Sequence, residues 1–380
     1  MRVGFFTEVY RPVQNGVVVS VDALATGLRA LGHEVQCFAP HMPGSSEADG
    51  SLRMPSLPLP ISTPYRLTLP LVNRHNRHAI LNRLHVLHAH SPFVTGWMSV
   101  RYARRLRIPL VYTYHTRLEE YVHYFPVDAK AARYAASTLT RTFANQADAV
   151  IVPTPAMARR LRDLGVTVHL EVVPSGIETT HFSAGRRRED LRASFGTKAN
   201  ERLLLFVGRL AREKNVDILL EALAYAKTPA RLVIAGDGPE LQTLQAKARA
   251  LRIDNRTVFL GAVSHAELPD LYASADAFVF PSVTETQGLV VAEALAAGAL
   301  VIAADSPAMR DVLESAGLLV ESSASSFAAA IAQIPQTPDR GRAEAAKTSA
   351  ERFAASQQAS KVAALYERLI AERLATAGTP

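Results

Sequence analysis

The chain has 380 residues, of which 48% are hydrophobic, and this length predicts two domains rather than one core. The single cysteine, Cys37, excludes an internal disulfide bond and fits a reducing compartment, and no apolar run reaches the length of a membrane span. The formal net charge is +7, and the whole excess falls in residues 1–180, which favours an anionic partner for that half.

The first half of the chain alternates short β-branched runs with helical patterns, and it begins in a run typical of a strand rather than of a signal peptide. This alternation predicts a parallel sheet with crossover helices. The predicted strands are Val3–Thr7, Val35–Ala39, Leu84–His88, Leu110–His115 and Ala149–Pro153. The predicted helices are Val19–Leu31, which ends before Gly32, and Ala129–Ala147.

The pattern stops in Pro174–Phe182 and in the polar stretch Gly185–Arg202, and then restarts, which predicts a second α/β half with a hinge near Pro174. The predicted strands of this half are Leu203–Val207, Arg231–Ala235, Val258–Leu260, Ala277–Pro281, Leu300–Ala304 and Leu318–Glu321. Its predicted helices are Val216–Ala226, Pro239–Ala250 and Leu289–Ala297, and the final stretch Ser356–Thr376 predicts one long amphipathic helix.

Parallel α/β sheets bind ligands at the carboxyl ends of their strands, where helix N-termini point. Two such sheets with these edges facing each other would clamp one elongated, anionic ligand. The first candidate loop follows the first strand and carries Gly16 just before a helix. A glycine there lets the backbone approach a phosphate closely, although an ordinary strand-to-helix turn would contain the same residue.

The second candidate loop opens the second half with Gly208, Arg209 and, five residues further on, Lys214. Arginine can donate to two phosphate oxygens at once, and lysine can place a point charge beside them. The position after the first strand of a Rossmann-like half favours phosphate binding. A solvated loop whose charges pair with Glu213 is the alternative.

The third candidate segment follows the predicted strand that ends at Pro281. Glu285 lies before the predicted helix and Glu293 lies about two turns inside it, so one carboxylate could accept hydroxyl hydrogens from a sugar and the other could hold a ribose diol. The backbone N–H groups of Gln287–Leu289 could bind phosphate. The alternative makes Glu285 a partner of the helix dipole and Glu293 a solvated residue, although Glu293 interrupts a long apolar stretch.

These segments together resemble the retaining glycosyltransferases of family 4, which have the GT-B architecture. The Glu285-x₇-Glu293 spacing, followed by Ala-Leu-Ala-Ala-Gly, is similar to that family's signature. Residues 208–215 match its phosphate-binding Gly-Arg-Leu and Glu-Lys-Asn segment, and residues 236–240 match its next characteristic loop. Asn15-Gly16-Val17 matches the usual Gly-Gly-Val except that asparagine replaces the first glycine.

The resemblance covers nearly the whole chain and implies an α/β GT-B fold of two facing Rossmann-like domains. Residues 1–174 are then the acceptor-binding domain, residues 175–355 the nucleotide-sugar-binding domain, and residues 356–380 a helix that crosses back to the first domain. The implied activity is that of a hexosyltransferase (EC 2.4.1.-), which moves glucose or mannose from a nucleotide diphosphate sugar such as UDP-glucose or GDP-mannose.

The resemblance also implies roles by position. The implied donor-binding residues are Gly16, Arg209, Lys214, Glu285, Gln287, Gly288, Leu289 and Glu293. The implied catalytic residues are His115, Arg209, Lys214 and Glu285. Attack is expected on the face that the diphosphate leaves, with a phosphate oxygen taking the acceptor's proton. No cofactor and no metal are expected, because there is no Asp-x-Asp and the two cations can stabilise the leaving group.

The acceptor is expected to be a lipid, either diacylglycerol or a glycolipid. Residues 113–124 resemble the corresponding stretch of bacterial diacylglycerol 3-α-glucosyltransferases, and the Thr-Glu-Thr around Glu285 also occurs in that subgroup and in lipid mannosyltransferases. This resemblance implies that the acceptor-binding residues are His115, Arg117, Glu120 and Tyr121.

A basic segment of the first half supports a lipid partner independently. Residues 51–118 contain ten arginines, six histidines and no acidic residue, and residues 69–84 could form a basic amphipathic helix on an anionic bilayer. A helix packed on the sheet would fit residues 69–84 equally well. The enzyme is therefore expected to be cytoplasmic and peripheral on the inner face of the plasma membrane.

Four other functions make different demands on the sequence. A soluble or polysaccharide acceptor, or a nucleotide-sugar epimerase, would fit the same architecture. A dinucleotide-dependent oxidoreductase needs Gly-x-Gly-x-x-Gly, and the nearest match, residues 236–241, lacks the third glycine. Binding of nucleic acid is not expected, because the basic half has no aromatic-rich strand that could stack bases.

Overall fold

The structure is a computed structural model, and it describes residues 1–13, 15–45, 50–58, 66–70, 81, 83–122, 128–337 and 339–377. Contacts divide the chain into two compact units. The first unit comprises Met1–Gly176 and Ala355–Pro380, and the second unit is Ile177–Ala354. The sequence predicts domain boundaries after residues 174 and 355. The helix expected over residues 69–84 falls mostly on residues 71–80 and 82, which lie outside the described residues.

The described residues of the first unit form a seven-stranded parallel sheet in the order β3-β2-β1-β6-β7-β8-β9, and a separate antiparallel pair, β4-β5. The strands are β1 (Arg2–Phe6), β2 (Glu34–Pro40), β3 (Ser51–Met54), β4 (Ser56–Pro58), β5 (Arg66–Thr68), β6 (Val86–Ala89), β7 (Leu110–Thr113), β8 (Ala149–Val152) and β9 (His169–Val172). The helices are α1 (Gly16–Ala30), α2 (Val94–Leu106), α3 (Ala129–Ala144) and α4 (Pro155–Asp163), with a 3₁₀ turn at Leu118–Glu120.

The described residues of the second unit form a six-stranded parallel sheet in the order β12-β11-β10-β13-β14-β15. The strands are β10 (Arg202–Val207), β11 (Ala230–Ala235), β12 (Thr257–Gly261), β13 (Ala277–Phe280), β14 (Val301–Ala304) and β15 (Gly317–Val320). The helices are α5 (Thr179–Ser183), α6 (Glu189–Ser194), α7 (Val216–Tyr225), α8 (Leu241–Ala250), α9 (Leu268–Ser274), α10 (Leu289–Ala296), α11 (Pro307–Leu313), α12 (Ala324–Ala332) and α13 (Arg340–Ala350). This strand order is that of a Rossmann-like, doubly wound sheet.

The last helix, α14 (Ala355–Ala377), belongs to the first unit, where it packs on α1. The contact is close because Gly27 of α1 has no side chain. A Cβ atom built on Gly27 would lie 2.6 Å from the Cβ of Ala359. A glycine inside a helix is unfavourable by itself, so its position here reflects the approach of the two helices. The predicted return of the C-terminal helix to the first domain is therefore confirmed.

The central strands of both sheets are buried on both faces, which explains their continuous apolar runs. The edge strands β12 and β15 of the second sheet were predicted, but β9 at the edge of the first sheet was not. It is partly exposed and contains His169 and Glu171, so its pattern does not identify a strand. The stretch between residues 174 and 202, in which the strand–helix pattern of the sequence stops, contains the short helices α5 and α6. Helices of five and six residues are too short to display a helical period.

No helix in the part of the chain that the structure describes combines the length and the apolar character needed to cross a membrane.

Candidate active site

The strand order of the second unit marks one place on its sheet as a ligand site. The order reverses between β10 and β13, which are hydrogen-bonded neighbours. At such a switch point, ligands bind in the crevice beyond the carboxyl ends of the two strands. The loop after β10 begins at Gly208 and the loop after β13 begins at Pro281, so the topology brings the second and third candidate segments to the same point.

An ion pair joins these two loops. Lys214 Nζ lies 2.6 Å from Glu285 Oε1, and Ser282 Oγ donates a hydrogen bond to the same oxygen, also at 2.6 Å. The side chains of Lys214 and Glu285 are 18% and 14% exposed, so the pair is largely but not fully shielded from water. An ammonium group carries three N–H donors, so the carboxylate does not exhaust the capacity of Lys214 to bind an anion.

Further hydrogen bonds fix the backbone of the two loops against each other. The hydroxyl group of Thr284 donates to the backbone carbonyl of Glu213 at 3.4 Å, and Ser282 Oγ lies at the same distance from that carbonyl. Asn215 Nδ2 donates to the carbonyl of Pro281, also at 3.4 Å. Because these bonds flank Lys214 and Glu285, the ion pair is held by a prearranged frame rather than by two flexible side chains alone.

Helix α10 begins directly after this frame and presents backbone donors. Gly288 is its N-terminal cap residue with φ +80°, and no side chain caps the helix there. A Cβ atom at Gly288 would lie 3.1 Å from Met309 Cε, so a side chain would be both strained and crowded. The first N–H groups of a helix lack partners inside it, and they carry partial positive charge that suits a phosphate group.

Glu293 lies inside α10 and is buried, with 6% of its surface exposed. The hydroxyl of Tyr272, a fully buried residue of α9, donates to Glu293 Oε2 at 2.9 Å. Burial raises the pKa of Glu293 to about 7, although the bond from Tyr272 and the charge of His181 act in the opposite direction. The alternative of a solvated Glu293 is therefore wrong: this is a desolvated carboxyl group with a fixed orientation.

The glycines of residues 236–238 serve packing between two loops. Gly236 has φ +153°, and a Cβ atom there would lie 1.8 Å from the carbonyl oxygen of Gly208. The backbone N–H groups of Gly208 and Leu210 donate to the carbonyls of Ala235 and Asp237. Arg209, between these two anchored residues, is exposed. The close approach fixes the backbone that carries Arg209.

The candidate residues of the first unit lie around its own switch point, between β1 and β6. The loop after β1 leads to α1, where the side chain of Asn15 accepts a hydrogen bond from the N–H of Val18 at 2.9 Å. The asparagine that replaces the family's first glycine is thus the N-cap of this helix. Gly16 is the first helical residue, and its contact with a phosphate remains a prediction.

Three histidines of the basic segment lie together at this switch point. The rings of His88 and His90 stack with centroids 4.2 Å apart, and His90 Nδ1 lies 3.0 Å from His115 Nε2. Burial lowers the pKa of His88 and of His90 well below the usual value, and it lowers the pKa of His115 to about 4. These three rings are therefore neutral at pH 7 and add nothing to the positive charge of the segment.

The predicted acceptor-binding residues after β7 form an ion-pair cluster. Arg117 pairs with Glu120 and lies 3.7 Å from Glu119 Oε1, while Arg160 of α4 donates to the same oxygen of Glu119. Tyr121 follows, partly buried. The acidic residues balance the arginines here, so these side chains form an ordered polar surface rather than a simple cationic patch.

Two known protein families match the chain, one in each half. Residues 14–181 match the family described as Glycosyltransferase Family 4, and residues 187–352 match that described as Glycosyl transferases group 1. The alpha-monoglucosyldiacylglycerol synthase of Streptococcus pneumoniae is 32% identical over 82% of this chain and 73% of its own length. The chain is a family 4 glycosyltransferase.

The glycosyltransferase has further relatives at similar distance. The GDP-mannose-dependent alpha-mannosyltransferase of Corynebacterium glutamicum is 31% identical over 78% of this chain and 71% of its own. The structure of HepE from Anabaena, in complex with UDP and glucose, has a TM-score of 0.75 at 18% identity and covers 97% of this chain and 100% of that one. The predicted family, the α/β GT-B fold class and the hexosyltransferase activity are confirmed.

The structure of the glycosyltransferase brings Lys214 and Glu285 into contact and places Gln287, Gly288 and Leu289 directly beside them in the chain. The functional roles of all predicted site residues remain predictions. In the described residues no group of three or more His, Cys, Asp or Glu side chains is arranged to hold a metal ion.

Sequence reasoning missed three residues that support the site. Ser282 bonds Glu285, Tyr272 bonds Glu293, and His90 bonds His115. The sequence His-Ala-His at residues 88–90 does indicate that His88 and His90 lie side by side, because alternate residues of an extended segment point to the same side. Nothing in the sequence links Tyr272 to Glu293, because a different helix carries each.

Proposed function

We propose that this glycosyltransferase moves a hexose, glucose or mannose, from a nucleoside diphosphate sugar to a lipid acceptor, diacylglycerol or a glycolipid, with retention at the anomeric carbon. The observation that carries the proposal is the contact between Lys214 and Glu285 at the switch point of the second sheet. It joins a phosphate-binding cation to a hydroxyl-binding carboxylate within one small, preorganised site.

In this proposal the second unit binds the donor. Arg209, Lys214 and the backbone N–H groups of Gln287–Leu289 bind the diphosphate and stabilise the charge that grows on it as the sugar leaves. Glu285 accepts hydrogen bonds from hydroxyl groups of the transferred sugar. Glu293 accepts them from the ribose diol through Oε1, since Oε2 receives the hydrogen bond from Tyr272.

The contacts of Glu285 favour this role over that of a nucleophile. A retaining enzyme that works through a covalent glycosyl-enzyme needs a carboxylate oxygen free to attack carbon. One oxygen of Glu285 already receives hydrogen bonds from both Lys214 and Ser282, which lowers its nucleophilicity. The acceptor hydroxyl is therefore proposed to attack on the face that the diphosphate leaves, and a phosphate oxygen takes its proton.

The first unit is proposed to bind the lipid acceptor, with His115, Arg117, Glu120 and Tyr121 as contacts. The names of the relatives support the substrate classes. One relative is an alpha-monoglucosyldiacylglycerol synthase, and another is described as GDP-mannose-dependent. These names support glucose or mannose as the sugar and diacylglycerol as one acceptor.

An exposed face of α2 supports peripheral binding to an anionic bilayer. Phe93 and Trp97 are 44% and 39% exposed, and Arg101 and Arg105 are exposed further along the same helix. Phe93 is the N-cap residue of α2, and Trp97, Arg101 and Arg105 are spaced by four, so these three follow one face of the helix. Aromatic residues that lead into arginines suit the interface of a membrane with negatively charged head groups.

The test presents the full chain with UDP-glucose or GDP-mannose and vesicles that contain diacylglycerol and phosphatidylglycerol. We expect nucleoside diphosphate release to depend on diacylglycerol, and we expect mass spectrometry and NMR to detect an α-linked glycolipid. Sugar transfer that proceeds equally without lipid would overturn the lipid acceptor. Conversion of the donor sugar into its epimer without transfer would replace the proposal with the epimerase alternative.

A further inference from the structure

His90 is one of the three stacked histidines of the first unit, and it is not among the predicted site residues. His90 is 3% exposed and lies between the rings of His88 and His115, with the edge of Phe5 at a centroid distance of 4.7 Å. Its backbone N–H donates to the carbonyl of Phe6 in β1 at 2.8 Å. The ring is therefore fixed on several sides, and within the described residues its nitrogen Nδ1 makes a polar contact with His115.

One proton lies between His90 Nδ1 and His115 Nε2, which are 3.0 Å apart. Both rings are neutral at pH 7, because burial lowers the pKa of each below that pH. In a neutral imidazole one nitrogen donates and the other accepts. The pair therefore has two possible arrangements, which differ in the nitrogen of His115 that carries hydrogen.

The other nitrogen of His90 decides between them. His90 Nε2 is buried and has no hydrogen-bond partner among the described residues. A buried N–H without an acceptor is rarer and more costly than a buried lone pair without a donor. The hydrogen of His90 therefore resides on Nδ1, where it has an acceptor.

We propose that His90 is a positioning residue that donates from Nδ1 to His115 Nε2 and so holds His115 in the tautomer with hydrogen on Nδ1. In the proposed function His115 contacts the acceptor, and this tautomer sets which nitrogen of its ring carries hydrogen at that contact. The inference rests on the proposed function only for the identity of that substrate, since the tautomer is a property of the protein alone.

Two substitutions separate the hydrogen bond from the packing. His90→Phe keeps an aromatic ring between His88 and Phe5 but removes the donor. His90→Asn removes the ring and retains an amide donor near the position of Nδ1. Tyr366→Phe is the matched control, because it removes a buried hydroxyl in the same core that bonds His88 Nδ1 at 2.5 Å rather than His90.

The direct readout is the nitrogen-15 spectrum of histidine-labelled full-length protein, with the His115 signals assigned by their loss in His115→Ala. We expect a pyridine-type Nε2 and a pyrrole-type Nδ1 for His115 in the wild-type protein, His90→Asn and Tyr366→Phe. We expect His90→Phe to shift His115 toward the other tautomer. A wild-type His115 with hydrogen on Nε2, or an unchanged spectrum in His90→Phe, would overturn the proposal.

Kinetics with UDP-glucose or GDP-mannose and diacylglycerol vesicles supply the second readout. We expect His90→Phe to lower kcat/KM by about tenfold and His90→Asn to restore most of the loss. The double variant His90→Phe/His115→Ala should be no slower than His115→Ala, because the two residues act as one unit. Additive losses would contradict the positioning role. Full activity of His115→Ala would instead remove the proposed substrate contact and leave the tautomer result standing.

Discussion

At the scale of single residues, Glu293 is the clearest case of a site residue that lowers the stability of the folded protein when it ionises. A buried carboxylate is costly unless its charge is compensated, and here the hydrogen bond from Tyr272 and the charge of His181 compensate it only in part. Between the ordinary value of 4.5 and the folded value of about 7, the folded protein keeps a proton that the unfolded chain has released. Stability from this group is therefore complete below about pH 4.5 and is lost as pH rises through about 7.

This linkage predicts the behaviour of Glu293→Gln, which keeps an acceptor for Tyr272 and carries no charge. We expect the variant to unfold like the wild-type protein at pH 5 and to be more stable at pH 8, by an amount on the order of 3 kcal/mol. Urea unfolding at the two pH values measures the difference. Glu321→Gln, an exposed change in the same unit, controls for loss of charge. An equal effect of Glu293→Gln at both pH values would contradict the linkage.

At the scale of elements, the site depends on loops that pack against one another. Gly236→Ala would introduce a Cβ atom 1.8 Å from the carbonyl oxygen of Gly208 at a backbone φ of +153°. Because backbone on both sides must move, we expect a loss of roughly 3 kcal/mol in unfolding free energy and a large loss of turnover, since Arg209 follows Gly208.

Gly261→Ala is the matched control for that substitution. Gly261 also has a left-handed backbone, with φ +70°, but a Cβ atom there meets nothing within 4 Å. We expect it to cost only about 1 kcal/mol and to leave turnover near that of the wild-type protein. Equal stability losses in the two variants, by thermal or urea unfolding, would show that the contact with Gly208 does not matter.

The elements also show which parts of the fold can be predicted from a sequence. Strands such as β10 and β13 are buried on both faces, so an apolar run bounded by polar loops identifies them. The edge strand β9 and the short helices α5 and α6 depend on contacts with distant residues, and their local patterns are too weak to identify them. The 3₁₀ turn Arg212–Lys214 is equally hard to identify from its local pattern, because contacts with the loop after β13 fix it.

At the scale of the whole molecule, the family and the fold class followed from ordered motifs that lie far apart in the chain. The contact between Lys214 and Glu285 did not, since 71 residues separate them and only the reversal of strand order brings them together. The hydrogen bond between Tyr272 and Glu293 likewise required the packing of α9 against α10. Motifs therefore identify the residues of a site, whereas topology and packing decide which of them meet.

The uneven charge of the chain predicts that the first unit, rather than the second, binds an anionic membrane. Arg101→Glu/Arg105→Glu reverses two exposed charges of α2, and Lys227→Glu/Arg249→Glu makes the same change of charge on the second unit. We expect the α2 variant to bind phosphatidylglycerol vesicles at least about tenfold more weakly, and the second to bind normally. Vesicle co-sedimentation at low and high salt measures this, and wild-type binding should weaken as salt screens the charges. Equal binding by both variants would contradict the proposed surface.

The proposed donor site depends most directly on the ammonium group of Lys214. The decisive measurement is turnover of UDP-glucose and GDP-mannose by Lys214→Met, compared with Lys247→Met, whose lysine also pairs with carboxylates, those of Asp217 and Glu221, in the same unit. We predict that Lys214→Met stays folded and loses about 100-fold or more in turnover, while Lys247→Met remains close to the wild-type protein. Near-normal turnover by folded Lys214→Met would contradict the proposed donor site.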